Sequence, residues 1–141
     1  MAEEAIARRN EVHVNQPALD LLPERDRRAI ETFVERVRHA HPDKVQRIIL
    51  FGSKARGDNH THSDIDVLLI VSDEDWRFRH AISRTAADVS LAHDVLIGPR
   101  IIGQERWARM RRGRSILFEN IQTEGIELTE SLPESFSQAT A

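Results

Sequence analysis

Residues 65–71 read Ile-Asp-Val-Leu-Leu-Ile-Val, an apolar run broken by one acid and free of glycine and proline. A stretch this short and this rich in branched side chains suits a strand covered on both faces. The chain must therefore build a sheet with other elements packed above and below it. Asp64 and Asp66 stand at the head of the run. Side chains alternate across a strand, so the two acids point to one side, with Cα atoms about 6–7 Å apart. A second apolar run, 48–51, ends in Gly52-Ser53. The twelve residues from Gly52 to Ser63 join the two runs. That is long for a structureless loop, and long loops are often functional.

These residue types, in this order, point to chemistry on phosphates. Two carboxylates at that separation can converge on a pair of Mg²⁺ ions about 3.5–4 Å apart, the arrangement used for in-line phosphoryl and nucleotidyl transfer. Oxygen donors suit Mg²⁺, and the chain has no cysteine to suggest a softer metal. Gly52 lets a backbone approach a phosphate closely. Ser53 is read as a helix cap, with Lys54, Ala55 and Arg56 forming a short helix behind it. A helix start presents N–H groups to an anion, and Lys54 and Arg56 would add positive charge. If the two strands are neighbours, the phosphate cradle and the acid pair lie side by side.

The rest of the chain supplies the layers. Residues 23–39 read as a helix, with Ala29, Ile30, Phe33, Val34 and Val37 recurring at helical spacing. Residues 45–51 read as the first core strand. Ser72 or Asp73 begins a helix over about 75–92, with Phe78, Ile82, Ala86 and Val89 as its buried stripe and Trp76 at its base. Residues 93–97 read as a third strand, ended by Gly98-Pro99. Asp94 heads that strand, where β-propensity disfavours an acid; it either caps the strand start or completes a set of three carboxylates. Helices over 104–112 and 114–123 follow, then a short closing strand over 125–128. The Val12/Val14 pair could add an edge strand. His60 and His62 sit in a polar loop and read as exposed, because Mg²⁺ prefers oxygen. The basic cluster Arg106, Arg109, Arg111, Arg112 and Arg114 reads as a solvated helix face, with a partner or phosphate surface as the alternative.

Composition narrows the class. At 141 residues the chain suits one domain, read as a flexible segment over 1–16, a folded domain over 17–130 and a disordered tail over 131–141. A net charge of −3 asks for no nucleic acid partner. The absence of cysteine excludes disulfides and zinc–thiolate sites and suits a reducing cytoplasm. No apolar run reaches the roughly 18 residues of a membrane span, and the start is too charged for a signal peptide.

Gly52-Ser53, ten residues, then Asp64-Ile65-Asp66 resembles the G-S-x10-D-x-D signature of the polymerase-β-like nucleotidyltransferases. The strings G-S-K-A-R-G-D and S-D-I-D-V-L-L match at many positions, and E-G-I-x-L at 124–128 resembles the ending of the minimal members. The resemblance implies an α+β fold, a small mixed sheet packed with helices. It implies two Mg²⁺ ions held by Asp64, Asp66 and Asp94, with Asp94 also accepting the proton of the attacking hydroxyl. It implies ATP or another nucleoside triphosphate as substrate, its phosphates held by Gly52, Ser53 and Arg56. Minimal members are often paired with a HEPN-domain toxin, and some transfer AMP to it, which implies a protein adenylyltransferase acting as antitoxin. Two alternatives stand beside this: a non-catalytic module that neutralises a partner by covering it, and a small-molecule nucleotidyltransferase. The acceptor, the base preference and the oligomeric state are not legible in the residues.

Overall fold

The structure, a computed structural model, describes residues 19–57 and 63–128. The segment expected over 1–16, the tail over 131–141, the Val12/Val14 pair, His60 and His62 lie outside the described residues.

Helix α1 spans Glu24–Ala40 and buries Ala29, Ile30, Phe33, Val34 and Val37. Acids in its first turn and Arg38 and His39 in its last complement the helix dipole. The elements that follow are β1 (Val45–Phe51), α2 (Ser53–Arg56), β2 (Ile65–Val71), α3 (Trp76–His93), β3 (Ile97–Gly103), α4 (Gln104–Arg112), α5 (Ile116–Glu124) and β4 (Ile126–Glu127). The strands form one mixed sheet in the order β3-β2-β1-β4. β1 runs antiparallel to β2 and β4, and β2 runs parallel to β3. The expected α+β class, a small mixed sheet packed with helices, is the one observed.

Helices cover both faces of this sheet. On one face α1 and α3 pack against Ile65, Val67, Leu69 and Val71. On the other, Trp107 of α4 and Phe118 and Ile121 of α5 pack against Ile49, Leu68 and Ile70. β2 is an interior strand between the two layers, and none of its apolar side chains is more than 2% exposed. That double covering is the physical reason for the nearly unbroken apolar run.

The third strand is displaced from its expected place. Helix α3 continues to His93, and Asp94 closes it in the left-handed conformation, at φ 56 and ψ 49. β3 then runs over Ile97–Gly103 and contains the Gly98-Pro99 pair that was read as its end. β3 is an edge strand, and an edge accommodates a proline that has no N–H to donate. Trp76 is also corrected: it is 66% exposed, with the Arg77 guanidinium 5.0 Å from its ring centroid. Among the described residues, no helix is long and apolar enough to cross a membrane.

Candidate active site

The antiparallel pairing of β1 and β2 sets Phe51 opposite Asp66. The chain leaving β1 must turn beside the acid that opens β2. It does so at Gly52, whose φ of 82 and ψ of −159 fall where glycine alone is at ease. A Cβ at this position would collide with the Asp66 carboxylate. Gly52 is therefore required twice, by its backbone and by its neighbour. Its carbonyl accepts bonds from the N–H groups of Ala55 and Arg56, each at 3.1 Å, which start α2. Ser53 is the first helical residue rather than the cap, and Gly57 ends the turn at φ 83.

Asp64 is exposed and Asp66 half-buried at the start of β2. Burial pushes the Asp66 carboxyl above its ordinary value; the adjacent Asp64 carboxylate adds to the rise, and Arg56 opposes it. A carboxylate pushed up by burial and by a neighbouring carboxylate suits a cation, which would favour its charged form. The all-oxygen donor set fits Mg²⁺. Arg56 lies near this pair, and its guanidinium donates to Glu124 of α5 at 3.1 Å.

Lys54 does not join the positive charge expected here. Its ammonium is fully buried and donates to Asp26 of α1 at 2.7 Å, with the Asp26 side chain only 2% exposed. Lys54 faces the α1 layer and ties the Gly52 turn to that helix. Sequence reasoning missed this pair because the two residues stand 28 positions apart and Lys54 reads as positive charge for a phosphate.

Asp94 is not brought to the acid pair. Asp66 shares the strand face of Leu68 and Ile70, the face covered by α4 and α5. Asp94 closes α3, which packs on the opposite face. Its side chain is 93% exposed and lies 3.6 Å from Arg25 of α1. The β3 residue in register with Asp66 is Gly98. Among the described residues, no three acids or histidines are gathered into one cluster. The parallel register of β2 and β3 would have found Gly98, had β3 been placed correctly.

The basic cluster divides. Arg106 and Arg114 are engaged within the chain, with Glu74 at 2.9 Å and Glu119 at 3.0 Å, while Arg109, Arg111 and Arg112 are exposed on or at the end of α4. Glu74 also accepts the backbone N–H of Gly103 at 2.8 Å and a bond from Arg79 at 3.0 Å. The Gly103 N–H, then Arg106, hold its carboxyl down at about 2. This knot lies at the end of β2 and β3 away from Asp64 and Asp66.

A glycine turn set against an acid pair, at the junction of two antiparallel strands in a mixed sheet, is the arrangement of a nucleotidyltransferase core. The family profile of the nucleotidyltransferase domain matches residues 30–112, more than half of the chain, and the chain belongs to that family. Among its relatives, the "Putative protein adenylyltransferase MJ0141" of Methanocaldococcus jannaschii is 45% identical over 60 residues, which cover 42% of this chain and 61% of the relative. MJ0604 of the same organism carries the same description and is 43% identical over 53 residues, covering 38% of this chain and 52% of the relative. The matched stretches thus span between half and two thirds of the length of these relatives. A solved structure described as a toxin-antitoxin with AMP-PNP is similar at a TM-score of 0.49 and 25% identity, covering 70% of this chain and 71% of the other.

Proposed function

We propose that this chain is a Mg²⁺-dependent nucleotidyltransferase that moves a nucleoside monophosphate, AMP from ATP, onto a hydroxyl of a partner protein. The observation that carries the reading is the contact of Gly52 with the Asp66 carboxylate. It supports a backbone turn that could approach a phosphate closely beside the acids that would hold the metal. Asp64 and Asp66 would hold Mg²⁺, which when bound neutralises triphosphate charge and stabilises the departing pyrophosphate. Gly52 and Ser53 would face the phosphates, and Arg56 would add a positive charge beside them. The acceptor oxygen would bond to the α-phosphorus as the bond to pyrophosphate breaks, and the hydroxyl proton would pass to water. A protein acceptor is supported by the description of the two archaeal relatives as protein adenylyltransferases. By resemblance to the minimal members, the acceptor is a HEPN-domain toxin, the chain its antitoxin and the setting the cytoplasm.

A second reading is favoured by Gly98 and by the position of Asp94. A chain with two of the three expected acids in place could bind nucleotide and partner without transfer. Two measurements separate the readings. Melting with Mg²⁺ and ATP should raise the Tm of the native chain, and Asp64→Asn with Asp66→Asn should abolish the rise. Incubation with α-labelled ATP and a HEPN-domain partner should then leave label on the partner. A stable complex without label would support binding alone, and no Mg²⁺–ATP shift in the native chain would reject both readings.

A further inference from the structure

In the two-ion arrangement that the family resemblance implies, a third carboxylate completes the site toward the acceptor, and the strand in position to supply it is β3. Its register with β2 is parallel and unbroken, with Ile65 opposite Ile97 and Asp66 opposite Gly98. Ile97 and Ile101 pack into the α1–α3 layer, and Ile102 into the α4–α5 layer. Alternation therefore points position 98 to the side of Asp66. A Cβ built on Gly98 would lie 3.7 Å from the Asp66 Oδ1, with no other non-adjacent atom of the described residues within 4 Å. The backbone at Gly98 has no positive φ, so its conformation does not call for glycine. Position 98 thus has the right face, the right neighbour and room for a side chain, and it carries only hydrogen.

We infer that this site holds one divalent ion with the nucleotide, bridged by Asp64 and Asp66, and not two. The inference rests on the nucleotidyltransferase reading above. Two carboxylates on one strand can share an ion bound to the triphosphate. The second ion, which would sit toward the acceptor hydroxyl, loses its ligand from β3. Asp94, the acid nearest in sequence, is drawn to Arg25 beyond the other face of the sheet.

Mn²⁺ with α,β-methylene-ATP, a nucleotide that cannot be transferred, tests this on the full chain by electron paramagnetic resonance. The expected result is one nucleotide-dependent Mn²⁺ per chain with an uncoupled spectrum. Asp94→Asn should leave that count unchanged. Gly98→Asp should raise it to two and give the exchange-coupled spectrum of ions about 3.5–4 Å apart. Two coupled ions in the native chain would overturn the inference while leaving the nucleotide site standing. Loss of the ion in Asp94→Asn, or a count still at one in a folded Gly98→Asp chain, would overturn the assignment of position 98. No nucleotide-dependent Mn²⁺ at all would overturn the nucleotidyltransferase reading and this inference with it. Should Gly98→Asp fail to fold, the count in the native chain decides alone.

Discussion

Gly52 and Gly57 flank the same one-turn helix at nearly the same φ, 82 and 83, yet their surroundings differ. Among the described residues, Gly57 has nothing non-adjacent within 4 Å of a built Cβ, whereas at Gly52 that atom would meet the Asp66 carboxylate. Gly57→Ala should cost about 1 kcal/mol, the penalty of a left-handed conformation for an L-residue, and should keep the Mg²⁺–ATP shift. Gly52→Ala should cost about 1–3 kcal/mol in backbone strain. It should also lose the shift, because Asp66 must move. Urea denaturation and melting with Mg²⁺–ATP check the pair; equal loss of binding in both variants would mean that the turn matters only as a backbone. That the turn at Gly52 would lie beside Asp66 was legible in the sequence, because spacing and alternation are local rules. The burial of Lys54 and the pairing of Asp94 with Arg25 were not. Each depends on a partner in α1, and no local pattern encodes which distant helix a charge will meet.

Among the elements, the junctions at the far end of β2 and β3 hang on Glu74. It receives the Gly103 N–H where β3 passes into α4, together with Arg106 of α4 and Arg79 of α3. These bonds favour the ionised carboxyl, so the stabilisation is complete above its ordinary value of 4.5 and fades as the pH falls toward about 2. With its side chain 28% exposed, Glu74→Gln should cost about 1–2 kcal/mol at neutral pH. Urea denaturation at pH 7 and near pH 2.5 checks it: the gap between native and variant chains should narrow in acid, and a constant gap would place the loss in packing. The existence of the strands and helices was legible from apolar periodicity, and β1, β2 and α4 occupy the residues expected. β3 was not, because glycine and proline read as a stop wherever edge and interior strands cannot be told apart. Which strand lies at the edge is set by the whole sheet.

For the molecule as a whole, the Lys54–Asp26 pair joins the helix that precedes the sheet to the turn that faces the site. Removing Lys54 takes the ion-pair partner from the buried Asp26 carboxylate, which costs about 3–5 kcal/mol. Lys54→Met should show that loss. Lys54→Met combined with Asp26→Leu should recover most of it, since an apolar pair of similar volume needs no compensation. If the link also positions Gly52, the double variant should fold well and still bind Mg²⁺–ATP more weakly than the native chain. Chemical denaturation and a nucleotide titration on the same samples distinguish the two effects; full binding in the double variant would leave the pair a purely structural role.

The proline in β3 reaches further than the boundary it obscured. A sheet grows by hydrogen-bonding a new strand along its rim, and Pro99 breaks the row of donors on one rim while β4, with two residues, offers almost no row on the other. Among the described residues, the sheet is thereby guarded against zipping edge to edge with a copy of itself. On the described residues, that leaves the side chains of helices and loops as the surface on which another chain would dock.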